Sequence, residues 1–152
     1  MIRKGTLVSI LLVIMALLIA CGGPPKGKTP KEAVIMLFGA MERNDKAAIA
    51  HLLDIPSLMG KSENDYALST DNPRTFYNPE DLLNDMVDSG KTKIRWFSYQ
   101  RVIGNTEIKG DSAKVEVSFI NKETSVQYYS KFGLVKRNDV WKIYSFKATD
   151  DN

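Results

Sequence analysis

The chain has 152 residues, 43% of them hydrophobic and 26% charged, with a formal net charge of +3. That length suits one domain with one core. A single cysteine excludes an internal disulfide, a single histidine makes a zinc site of the usual kind improbable, and no basic stripe with interleaved aromatics points to nucleic acid.

The N-terminus carries the sharpest signal. Met1-Ile2-Arg3-Lys4 is followed by an apolar stretch from Leu7 to Ala20, then Cys21 and Gly22-Gly23-Pro24-Pro25. A basic start, a short apolar segment and a small residue before a cut read as a secretory signal. The stretch falls short of the roughly 20 apolar residues that cross a bilayer, and Gly and Pro follow it. Leu18-Ile19-Ala20-Cys21 resembles the lipobox of bacterial lipoproteins. The resemblance implies cleavage before Cys21, a diacylglyceryl thioether on its thiol and acylation of the new amino group; two or three chains anchor stably where one does not. Residues 1–20 are then the signal peptide and 21–28 a lipidated linker. Removing Arg3 and Lys4 takes two positive charges from the formal +3, leaving +1. The expected location is lipid-anchored, facing outside the cytoplasm. Gly22 is not the Asp that resembles an inner-membrane retention signal, so a Gram-negative cell would place the protein in the outer membrane. A Gram-positive cell would hold it on the outer face of the plasma membrane. Lys26, Lys28 and Lys31 add weak attraction to anionic headgroups or are ordinary tether lysines.

Thr29-Pro30-Lys31-Glu32 predicts a capped helix start, with Ala33, Val34, Leu37, Phe38 and Met41 as its apolar stripe. The helix should stop near Arg43-Asn44. Asp45 caps a second helix carrying Ala48, Ile49, Leu52 and Leu53, ended or interrupted by Pro56. Residues 60–77 are polar and read as a long loop, either functional or mobile. Asn78-Pro79 opens a third helix with Leu82, Leu83, Met86 and Val87 buried, stopping at Gly90.

After Gly90 the period changes. Lys93–Ile103, rich in aromatic and β-branched residues, reads as a first strand. Ala113, Val115, Val117 and Phe119 alternate with polar residues as a half-buried second strand. Thr124–Lys136 predicts a long third strand with Val126, Tyr128, Phe132 and Leu134 on one side. Val140–Lys147 closes the sheet with Trp141 and Ile143 inward. Turns fall at Gly110-Asp111, Asn121-Lys122-Glu123 and Arg137-Asn138-Asp139. The expected fold class is α+β, with N-terminal helices packed on a curved antiparallel sheet of about four strands. The domain spans 29–147 and a tail 148–152.

The opening Thr29–Val34, the Leu37–Met41 and Asn44–Leu53 segments and the closing Gly133–Ile143 strand pair resemble the nuclear transport factor 2-like superfamily, with its cone-shaped cystatin-like fold. They are especially similar to small domains in bacterial lipoproteins of unknown function. The resemblance covers roughly 29–146 and implies the fold far more than any activity, since this fold hosts enzymes, ligand binders and interaction modules. Dimerisation through the sheet is common among lookalikes.

His51, Asp54, Asp65, Tyr99 and Tyr128 are the raw material for acid–base chemistry of the isomerase or dehydratase kind, and none falls in a catalytic motif. The expectation is a non-catalytic binding or interaction module in the cell envelope, without cofactor or metal. Its partner would be an envelope protein or a second copy, met through Gln127, Tyr129 and Lys131 or through the 60–77 loop. The alternative is an apolar ligand in the cone, lined by Phe38, Met41, Trp96, Phe119, Tyr128 and Trp141. The simpler reading of those six is core packing.

Overall fold

The computed structural model describes residues 27–149, so Cys21, the signal segment and most of the linker lie outside the described residues. Helix α1 runs Pro30–Glu42. Thr29 caps it, its Oγ1 accepting from Glu32 N at 3.1 Å, and Glu32 Oε2 in turn accepts from Lys28 N at 2.9 Å. The predicted stripe of Ala33, Val34, Leu37, Phe38 and Met41 is buried throughout. Helix α2, Lys46–Leu52, starts where Asp45 Oδ1 accepts from Ala48 N at 3.0 Å. Pro56 falls inside a further short turn, α3 (Ile55–Leu58), near the N-terminal end where a missing N–H costs nothing. Helix α4 is Pro79–Asp85, with Asn78 Oδ1 accepting from Glu80 N at 2.8 Å.

The period change expected at Gly90 comes later. Lys91–Phe97 is a helix, α5, and the first strand, β1, is Gln100–Lys109. Gly90 is therefore the N-cap of α5 and not the stop of α4. The cause is tertiary. The Asp85 carboxylate accepts from Lys91 N at 2.9 Å and Thr92 N at 3.3 Å, satisfying the first turn of α5. Thr92 and Trp96, four residues apart, are fully buried while Ile94 is exposed, which is helical and not strand burial.

The sheet continues with β2 (Ser112–Ile120), β3 (Gln127–Arg137) and β4 (Val140–Ser145), an antiparallel meander in the order β1-β2-β3-β4. All three expected turns are present. Asn138 and Asp139 both have positive φ, the geometry of a two-residue turn matched to strand twist. β3 begins three residues later than predicted. Asn121 Oδ1 accepts from Glu123 N and Thr124 N, holding 121–126 as a turn, and Val126 is exposed instead of inward.

Helices α1 and α2 pack on one face of the sheet. That inner face carries Ala113, Val115, Val117 and Phe119 from β2, Phe132 and Leu134 from β3, and Trp141 and Ile143 from β4, all buried. The β4 edge is covered by a bridge between Leu53 and Ile143, with Asp54 N donating to Ile143 O at 2.8 Å. β1 carries a bulge. Ile103 pairs with Val117 but the next pairing is Thr106 with Val115, so Gly104 and Asn105 share one step and the inward phase switches.

Candidate functional site

Five of the six residues expected to line a cone cavity, Phe38, Met41, Trp96, Phe119 and Trp141, belong to the packed core, and Tyr128 lies apart. Phe38 and Trp96 rings sit 5.9 Å apart edge-on, Phe38 and Phe119 6.3 Å, and Met41 is buried in the same core. Trp96 also contacts Phe132 at 5.6 Å and Phe146 at 5.1 Å. Tyr128 shares the inner face but sits at the strand end, 45% exposed and edge-on to Tyr99 at 5.8 Å. Trp141 lies on β4 beneath Lys136 Nζ.

The acid–base candidates have structural partners. Asp54 Oδ2 accepts from Ser57 Oγ at 3.0 Å and faces Arg137 Nη2 at 3.6 Å. Asp65 Oδ2 accepts from Ser62 N at 3.3 Å in a small capping box. His51 is half-buried in the last turn of α2, and its carbonyl accepts from Lys142 Nζ. Burial lowers the Lys142 pKa, an effect Asp54 opposes. Tyr99 and Tyr128 meet edge-on at the strand end. No group of three or more His, Cys, Asp or Glu among the described residues is placed to hold a metal.

The 60–77 segment is where the fold departs most from expectation. Its ends are zipped together: Gly60 N donates to Phe76 O at 2.8 Å, Ser62 bridges Thr75, and Glu63 N donates to Arg74 O at 2.9 Å. Tyr66, Leu68 and Phe76 are buried, with the Tyr66 ring 4.9 Å from Phe146. Glu63 is fully buried and accepts from Arg74 N at 2.7 Å, Nε at 3.0 Å and Nη2 at 2.6 Å, with Arg95 Nη2 at 3.3 Å. Arg74 Nη2 also donates to Asp85 at 2.8 Å. Burial raises the Glu63 pKa, but the hydrogen bonds from Arg74 and the charges of Arg74 and Arg95 outweigh it and hold the carboxyl below its ordinary value. The same bonds to Glu63 and Asp85 raise the Arg74 pKa, and burial pushes the Tyr66 hydroxyl up. The segment is thus a structural strap. Its charged residues look solvated in sequence; the clue to burial was Tyr66, Leu68 and Phe76 set among polar neighbours.

Two open surfaces adjoin the sheet residues already described. On the sheet face opposite the helices, Val102 of β1, Ser118 of β2 and Tyr129 of β3 lie in one cross-strand row. Val102 is 42% and Tyr129 64% exposed, and Ser118 between them is covered. On the helix side, a groove of about 310 Å³ runs between α1 and β1, lined by Ile35, Phe38, Gly39, Glu42, Arg101 and Ile103. Arg101 went unnoticed as a site residue in the sequence. Its phase with Tyr99 and Ile103 was the available signal, since alternate positions in a strand share a face.

No protein-family model matches this sequence, and neither does any curated relative. Among solved structures, the chain is similar to a Campylobacter jejuni protein with the provisional name NTF2-like transpeptidase. The identity is 16%, the TM-score 0.44, and the match covers 76% of this chain and 97% of that one. The transpeptidase in that name describes the Campylobacter protein. No helix among the described residues is long and apolar enough to cross a membrane.

Proposed function

We propose that this chain is a lipid-anchored envelope protein whose α+β domain, of the nuclear transport factor 2-like kind, works as a non-catalytic binding module through the open face of its sheet. The observation that carries the reading is the exposed Val102 and Tyr129 row, continued at the strand end by Gln127. An aromatic ring with a polar tip beside a β-branched side chain suits a partner surface of mixed character. Charges frame the row: Lys131 faces Glu107 at 3.6 Å on the same side of the sheet. Support also comes from the carboxylates that could serve as acid or base, since Asp54, Asp65 and Glu63 are engaged in caps or ion pairs. The lipobox-like run at Cys21 supplies the anchor in this reading, and the partner is an envelope protein or a second copy.

The test places a photo-crosslinking phenylalanine analogue at position 129 of the full chain in its native envelope. A discrete crosslinked species is expected, absent from the same analogue at Glu123 in the exposed β2–β3 turn. A mass of twice the chain identifies a second copy, and another mass an envelope protein. Equal, diffuse labelling at 129 and 123 would reject the sheet face as the interaction surface.

A further inference from the structure

We propose that the groove between α1 and β1 binds a free, water-soluble amphipathic carboxylate, its apolar body against Ile35, Phe38 and Ile103 and its carboxylate on Arg101. This goes beyond partner binding through the sheet and uses the opposite side of the domain.

Arg101 holds an unusual place. It occupies an inner-face strand position, paired in register with Phe119. Its guanidinium lies 3.8 Å from the Phe97 ring centroid and 5.6 Å from that of Phe38. Its Nη1 donates to Trp96 O at 3.1 Å and Tyr99 O at 3.0 Å. Those acceptors are neutral. The other part-buried guanidiniums, Arg74 and Arg95, each face the Glu63 carboxylate, whereas no carboxylate lies within ion-pair distance of Arg101 among the described residues. Burial lowers the Arg101 pKa, an effect opposed by the charge of Glu42, a solvent-exposed residue that also lines the groove.

A partly desolvated guanidinium has five donors in a planar fork matched to a carboxylate, and Nη1 alone meets the two carbonyls. The aromatic faces fix that fork, and no direct ion pair among the described residues occupies it. The apolar side of the groove is already in place: Ile35 is 51% exposed on α1, and Phe38 and Ile103 lie beneath it. The volume is at the small end for ligand sites. A recessed cation in a concave groove favours a discrete molecule over a lipid headgroup, which would bring the bilayer plane against α1.

The experiment uses the full chain in phosphatidylcholine nanodiscs, titrated with 4-phenylbutyrate and, separately, with 4-phenylbutylamine. The readout is the amide shifts of Gly39, Arg101 and Ile103. Saturable shifts are expected with the carboxylate, with binding of the amine at least tenfold weaker. Arg101→Gln should weaken the carboxylate at least tenfold. Because Arg101 also caps α5, Ile35→Glu serves as a second variant: it alters an exposed side chain, replaces part of the apolar lining with a second acid beside Glu42, and should weaken binding by a similar factor. Absent or non-saturating shifts, equal affinity for the amine, or unchanged binding in Ile35→Glu would each overturn the assignment. The same shifts appearing in phosphatidylglycerol discs without any probe would replace the free carboxylate by an anionic headgroup and overturn it too. Tyr129→Glu should leave the titration unchanged, which separates this site from the sheet face; loss of binding in that variant would place the ligand elsewhere.

Discussion

Replacing Glu63 with Gln keeps the shape of the side chain and removes its charge. In the native strap the carboxylate accepts three hydrogen bonds from Arg74 and one from Arg95. Hydrogen bonds to charged groups contribute about 1.5–3 kcal/mol each, but their sum overstates the loss, because Gln keeps one acceptor oxygen. Its amide would set N–H donors against the donors of Arg74. Breaking a buried pair typically costs about 3–5 kcal/mol. Arg74 is about a third exposed and can recover solvent, so the expected loss is about 2–3 kcal/mol. With a urea slope of roughly 1.5–2 kcal/mol/M, the midpoint should fall by about 1–2 M. Fluorescence of Trp96 and Trp141 reports the transition, and hydrogen exchange across 60–77 should show the strap opening below the global free energy. The acid limb gives a second check. The folded pKa of Glu63 lies below the ordinary 4.5, so its stabilisation is present above that value and is lost as pH falls through the folded pKa. The variant should lack this part of the acid sensitivity. A loss under about 1 kcal/mol with unchanged exchange in 60–77 would refute the claim that the ion network holds the strap.

Trp141→Ala should destabilise by about 3–5 kcal/mol in chemical denaturation, because the side chain is buried on the inner face of β4; under about 1 kcal/mol would mean the strand phase is wrong. Gly90→Ala should cost about 2–3 kcal/mol and roughly 10 °C in Tm, because an added Cβ would sit 2.2 Å from the Asp85 carbonyl oxygen. An unchanged melting curve would show that the α4–α5 junction can shift to accommodate it. Cys21→Ser should abolish lipid attachment and release the protein from the membrane fraction; a variant still cut at the same bond and still held by lipid would refute Cys21 as the anchor.

The sequence by itself determined the parts governed by short-range chemistry. Thr29, Asp45 and Asn78 announced three helix starts because a cap needs only a side-chain oxygen within three residues of the N–H it satisfies. The alternation from Ala113 to Phe119 fixed the inner face of β2, and Asn138-Asp139 fixed a tight turn. Tertiary structure decided what depends on groups far apart in the chain. Lys91–Phe97 is helical because Asp85 satisfies its first N–H groups and Thr92 and Trp96 can be buried together, against its β-rich composition. The polar 60–77 stretch is a strap because Arg74 reaches the buried carboxylates of Glu63 and Asp85, each eleven residues away. Arg101 turns inward because β1 enters the sheet in that phase before its bulge. Its lack of a carboxylate partner is a property of the packed neighbourhood, which the order of residues along the chain does not encode locally.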